Sequence, residues 1–207
     1  MKLFLASYRF GAHAEKFVAM TGTPGRIAVI ANAADSWPDA ARASAVTSEV
    51  RGLRELGFSP EELDLRSGDV ESALDSVAAV WVRGGNTFVL RSRLRLSGAD
   101  EEIARRVRDG RLVYGGYSAG ACVASRSLRG IEAADDPNEV RPTTGSDVVW
   151  DGLGFVDVAL IPHFGSILDD TQTGAVMVDR YSRDGTPYLT LDDDQVLLVD
   201  GDRQERL

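Results

Sequence analysis

Two rhythms alternate along the chain. Short apolar runs occur at residues 3–6, 26–31, 78–82, 112–114, 156–161, 188–191 and 196–199. Several are apolar without a break, such as Ile27, Ala28, Val29 and Ile30, as expected of strands buried on both faces of a parallel sheet. Between them lie stretches with apolar residues at three- and four-residue steps. Ala43, Val46, Val50 and Leu53 predict an amphipathic helix over 39–56 that stops at Gly57. A second helix fits 100–109, capped by Asp100 and ended by Gly110. Weaker helical patterns cover 87–96, 119–125 and 172–181, and 132–147 reads as a long irregular loop. The βαβ rhythm predicts an α/β fold, a three-layer sandwich around a mostly parallel central sheet, with residues 1–207 as one domain.

Composition narrows the function classes. The 207 residues are 43% hydrophobic and 27% charged, enough for a sizeable core and unlike a disordered chain. No apolar run approaches the ~18 residues of a membrane span, and the opening residues turn polar too soon for a signal peptide. The net charge of −9, without a basic cluster, argues against nucleic acid, because neutralising phosphates needs concentrated Lys and Arg. A single cysteine, Cys122, excludes an intramolecular disulfide, makes a cysteine-based metal site improbable, and gives a cytoplasmic expectation. Only two histidines, His13 and His163, can serve as an imidazole base.

The sharpest local signal is Gly116-Tyr117-Ser118-Ala119-Gly120, an apolar strand running into a Gly-x-Ser-x-Gly turn and then a small-residue helix. A serine on such a turn is held in a strained backbone conformation with its hydroxyl above the sheet edge. Glycines two before and two after remove side chains that would collide there. The helix start aims free N–H groups, that of Ala119 included, at an oxyanion forming on a bound carbonyl. A second strand runs into Gly84-Gly85-Asn86-Thr87. Gly85 could there supply a second oxyanion N–H with the Asn86 side chain as a polar neighbour; a plain helix cap by Asn86 or Thr87 is the alternative.

A serine nucleophile needs an imidazole to take its proton. His163 closes the apolar run 156–161 and is favoured over His13, which sits in the polar stretch Gly11-Ala12-His13-Ala14-Glu15. The imidazole in turn needs a carboxylate to hold its tautomer. Asp192, Asp193 and Asp194 follow the run 188–191, while Asp135 and Asp136 lie in the loop after the elbow helix. Cys122, one turn past Ser118, reads as packing.

Together, Gly84-Gly85-Asn86-Thr87-Phe88, Tyr114-Gly-Gly-Tyr-Ser118-Ala-Gly-Ala121 and Ile161-Pro-His163-Phe164 resemble the serine peptidase family of dipeptidase E (α-aspartyl dipeptidase) and cyanophycinase. The resemblance runs in family order over most of the chain, and the length resembles the shorter dipeptidase branch. It implies a class I glutamine-amidotransferase-like fold with a serine nucleophile elbow. It also implies Ser118 as nucleophile, His163 as general base and the N–H groups of Gly85 and Ala119 as the oxyanion hole. The family's acid, usually Glu, matches Asp193 best, and a second family acid matches Asp135. With Asp for Glu the carboxylate is one methylene shorter. Where the family places a substrate-binding arginine, this chain has Met177, while Arg180 remains and Asp169 and Asp170 add negative charge. Peptidase chemistry on dipeptides or short peptides is therefore expected, with no metal or organic cofactor, and aspartyl specificity is left open. The partners expected are a short peptide and no membrane, with a homodimer left open. Two rivals stay open here: an esterase or other acyl hydrolase, and a non-catalytic binding protein on the same fold.

Overall fold

The computed structural model describes residues 1–167 and 172–207. Its strands are β1 (Lys2–Ala6), β2 (Arg26–Ile30), β3 (Ser59–Glu62), β4 (Ala79–Val82), β5 (Val113–Tyr117), β6 (Ala159–Ile161), β7 (Tyr188–Thr190), β8 (Val196–Asp200) and β9 (Arg203–Arg206). Seven of them form one sheet in the order β3-β2-β4-β5-β1-β8-β9. The first five positions are mutually parallel, and β8 and β9 are antiparallel additions at one side. The carboxyl ends of β1 to β5 therefore open on one rim, where ligands of such sheets bind.

The helices are α1 (Ala14–Thr21), α2 (Asp39–Glu55), α3 (Val70–Asp75), α4 (Thr87–Ser97), α5 (Ala99–Arg108), α6 (Ala119–Cys122), α7 (Val140–Thr144) and α8 (Thr173–Asp184). Alternation along the strands explains the layering. Leu3, Leu5, Ala28, Ile30, Val80 and Val82 face a core closed by Leu90, Leu94, Ile103 and Val107 of α4 and α5. Phe4, Ile27, Val29, Ala79 and Trp81 face the opposite way, against Phe17 of α1 and Leu53 of α2. Strands apolar on both faces are thus buried on both faces, each large side chain contributing about 1.5–3 kcal/mol. A third cluster, including Phe88, Cys122, Ile161, Met177 and Tyr181, joins α4, α6 and α8 to β6.

Several expectations need correction. The run 156–161 does not join the main sheet: only Ala159–Ile161 is strand, paired in parallel with β7 as a separate two-stranded ribbon. Asp100 does not cap α5. It lies inside the helix, buried against Arg91 with Nη1 to Oδ2 at 2.9 Å, while Gly98 precedes the first turn. The elbow helix is one short turn ending at Cys122, and the loop 132–147 contains 3-10 turns and α7. Asp169 and Asp170 lie outside the described residues. Among the described residues no helix is long and apolar enough to cross a membrane.

Candidate active site

The elbow is built by close approach. β4 and β5 are in register, Val82 beside Gly116, so Gly84 comes level with Ser118. A Cβ on Gly84 would sit 2.9 Å from Ser118 Cβ, and one on Gly120 would sit 2.1 Å from the Val82 carbonyl oxygen. α6 can descend onto the sheet only because those side chains are missing. Ser118 adopts φ +51° and ψ −118°, a conformation worth about 1–3 kcal/mol of strain for a non-glycine residue. Its N–H donates to Ala6 O at 3.1 Å, and its carbonyl accepts from Ala121 and Cys122, so the surroundings hold it there.

The second turn is locked from below. Gly85 has φ +146°, and a Cβ there would meet Ala33 O at 2.5 Å, so only glycine passes. The Asn86 N–H donates to that same Ala33 oxygen at 2.8 Å. Asn86 Oδ1 caps α4 by accepting from Phe88 and Val89, while Nδ2 donates to Asp136 O and Glu139 Oε2. The Asn86 side chain is thus committed to the helix cap and the overlying loop.

The ribbon delivers the base and its partner together. In the β6–β7 register Ile161 lies beside Thr190, so His163 and Asp193 emerge side by side just past the two carboxyl ends. His163 Nδ1 lies 2.6 Å from Asp193 Oδ1. A carboxylate only accepts, so Nδ1 carries the proton, and the neutral ring has its lone pair on Nε2. Ser166 Oγ donates to Asp193 Oδ2, and Ser7 Oγ donates to Oδ1 at 3.5 Å. Ser7 Oγ also accepts the His163 N–H at 2.7 Å. His163 takes φ +59°, a second strained non-glycine backbone at this rim. Ala6 therefore anchors Ser118 and its neighbour Ser7 anchors His163, which brings the elbow and the imidazole to the same end of β1. Tyr8, with its ring centroid 6.2 Å from both His163 and Tyr117, spans the two.

The remaining expected residues fall elsewhere. Asp135 accepts from the Thr87 N–H at 2.9 Å, at the start of α4. Burial pushes its carboxyl above the usual range, against the lowering by that hydrogen bond and by the nearby His163. Arg180 is engaged by Asp184 at 2.9 Å and Glu132 at 3.3 Å, and Met177 is buried in the third core cluster. Cys122 is buried with Sγ 3.6 Å from Leu160 O, and burial holds its thiol well above the usual range. His13 precedes α1 without a side-chain cap. No cluster of three His, Cys, Asp or Glu side chains among the described residues is placed to hold a metal ion.

Sequence reasoning passed over Ser7, Ser166 and Glu49. Glu49, 2% exposed, rises from α2 under the rim and accepts from Tyr117 Oη at 2.7 Å and Trp81 Nε1 at 3.0 Å. It therefore tethers the residue just before Ser118. Ser7 had a usable signal, since it follows directly on the carboxyl end of a predicted central strand. Glu49 had none, being one polar residue of an amphipathic helix.

The model of peptidase family S51 matches residues 10–207. The chain belongs to peptidase family S51. Peptidase E of Streptomyces coelicolor is 34% identical over 166 residues, covering 76% of this chain and 63% of that protein. An uncharacterized peptidase of Listeria innocua is 32% identical over 62% of this chain and 61% of its own length. A probable alpha-aspartyl dipeptidase of Drosophila melanogaster is 34% identical over 57% of this chain and 46% of its own. The matched segments thus span less than two thirds of these relatives. The crystal structure of a "putative peptidase E protein" from Listeria monocytogenes superposes with a TM-score of 0.82 over 100% of this chain and 97% of its own, at 23% identity. At that identity the likeness speaks for the fold, and this S51 chain has the peptidase E fold.

Proposed function

We propose that this S51 chain is a serine peptidase that hydrolyses dipeptides or short peptides. Ser118 Oγ attacks the peptide carbonyl while His163 Nε2 takes its proton. The N–H groups of Gly85 and Ala119, neither of which donates within the described residues, receive the oxyanion. His163 then passes the proton to the leaving amine, which departs as the acyl-enzyme forms. Water, deprotonated by the same imidazole, hydrolyses the ester and frees Ser118. Asp193 keeps the proton on Nδ1 and stabilises the imidazolium; Ser7 and Ser166 position it.

The observation that carries this reading is the convergence of a strained serine and an Asp-held histidine on Ala6, which ends β1, and Ser7, which follows it. Asp193 is favoured over Asp135 as the third member because its carboxylate meets the imidazole itself. The single cysteine is in keeping with a cytoplasmic setting, and the acidic charge with a substrate other than nucleic acid. A panel of Asp-X, Glu-X and neutral dipeptides, incubated with the protein and with Ser118→Ala, tests the proposal. Amine release from at least one dipeptide that Ser118→Ala lacks is expected. Release by both proteins alike, or cleavage of nitrophenyl esters but of no dipeptide, would overturn it.

A further inference from the structure

Arg83 stands one residue before the Gly84-Gly85 turn and is bound from three sides. Nη1 donates to Gly84 O at 2.7 Å, Nε lies 3.4 Å from Glu49 Oε1, and the guanidinium covers the Trp37 ring with Cζ 4.7 Å from its centroid. Glu49 is already committed to Tyr117 and Trp81, and Nε has no hydrogen-bond geometry to it. That leaves Nη2 as the nitrogen of Arg83 that reaches solvent without an acceptor among the described residues. The side chain is only 15% exposed, so this one nitrogen is held by the other contacts, on the residue before the Gly84-Gly85 turn.

Arg9 adds a second cation on the same side. Its Nη2 is fixed by Ser48 Oγ at 2.7 Å, and its Cζ stands 5.9 Å from the Tyr8 ring. Both arginines lie near the buried Glu49 carboxylate, which holds the residue before Ser118. Trp37 and Tyr8, 38% and 43% exposed, are the aromatic rings beneath these two guanidinium groups. A guanidinium with one preset free nitrogen, little entropy left to lose and an aromatic neighbour is suited to one anion.

We infer that Arg83 binds a carboxylate of the peptide substrate through Nη2, so that anionic recognition comes from the α2 side of the site. The inference deepens the peptidase reading and rests on it. The carboxylate has two possible sources, an acidic side chain on the residue before the scissile bond or the carboxyl terminus of a dipeptide.

The test is calorimetric binding of Asp-Leu, Asn-Leu and Asp-leucinamide to Ser118→Ala, with and without Arg83→Met. Arg83→Met is expected to weaken Asp-Leu by roughly 10- to 100-fold, the usual worth of a charged hydrogen bond. Loss for Asn-Leu with Asp-leucinamide spared assigns the carboxyl terminus; the reverse assigns the side chain. Equal change for all three peptides, no change, or no binding to Ser118→Ala overturns the inference. Arg83→Lys keeps a cation beside Glu49 should Arg83→Met fail to fold, and a loss of at least about 3-fold is expected because the flat fork is gone. Full affinity in Arg83→Lys would count against it. Arg83-dependent binding combined with no hydrolysis by the unmutated protein would sink the peptidase reading and leave the carboxylate site standing.

Discussion

Gly84→Ala adds one methyl group beside the proposed nucleophile. Its Cβ would lie 2.9 Å from Ser118 Cβ, 3.1 Å from Tyr117 Cε2 and 3.3 Å from Ser118 Oγ. Unstrained carbon contacts fall at about 3.5–4.0 Å, so one partner must yield by roughly half an ångström to one ångström. Tyr117 is pinned through its hydroxyl to buried Glu49, and the closest contact falls on Ser118 Cβ itself, so the strain is taken at the serine. Overpacking of this kind costs about 1–3 kcal/mol, offset by about 0.4–1 kcal/mol from the stiffer unfolded chain. Thermal unfolding should therefore shift down by no more than about 10 °C. Catalysis should suffer more, because misplacing a reacting atom by an ångström costs about 100-fold. The assay is kcat and KM on the best dipeptide beside a melting curve, with Gly52→Ala as control. Gly52 lies within α2, and its added methyl meets only Arg9 Nη1 at 3.8 Å. The control should keep kcat and gain up to about 1 kcal/mol of stability. A folded Gly84→Ala protein with unchanged kcat would refute the placement of Ser118 as the reacting group.

Other substitutions separate the remaining parts. Asp193→Asn should lower kcat by about 100- to 10,000-fold, whereas Asp135→Asn, whose carboxyl is bonded to the Thr87 N–H and not to the imidazole, should lower it less than about 10-fold; steady-state kinetics decides between the two acids. Glu49→Leu should cost about 3–5 kcal/mol in urea unfolding, because Arg83 and the Tyr117 and Trp81 donors lose a buried acceptor. Asp64 is held well below the usual carboxylate range. Burial opposes this, but hydrogen bonds from Arg66 and Asn32 and the charge of Arg42 outweigh it. A lowered folded pKa gives stability that is present above the unfolded value of about 4 and is lost as the pH falls below it. The stability gap between the unmutated protein and Asp64→Asn should therefore be full at pH 7 and shrink between about pH 4 and pH 2; a gap independent of pH would contradict the assignment.

The chemistry-bearing turns could be read from the chain because each combines backbone demands with local sequence. Gly84-Gly85, Gly116 and Gly120 are required by contacts under 3 Å, and such demands leave glycines in fixed places beside apolar runs. The central strands were equally plain, being apolar on both faces. β3 and β9 were not, because they are the outermost strands of the sheet and carry Ser-Pro-Glu-Glu and Arg-Gln-Glu-Arg, polar sequence that suits an exposed edge. The ribbon β6–β7 was misassigned to the main sheet, since three-residue strands leave no pattern that names their partner. The pairing of His163 with Asp193 depends on that ribbon's register. The strand ends offered Asp192, Asp193 and Asp194 together and the resemblance singled out Asp193, but the support from Ser7 and Ser166 arises only in three dimensions.

Covalent labelling tests the central claim most directly. The protein is treated with a fluorophosphonate probe, digested, and the modified peptide located by mass spectrometry. The account predicts a single adduct on Ser118, absent in Ser118→Ala and formed at least about 100-fold more slowly in His163→Ala, since general-base help contributes about that much or more. An adduct on another residue, or labelling of Ser118 at full speed without His163, would contradict it.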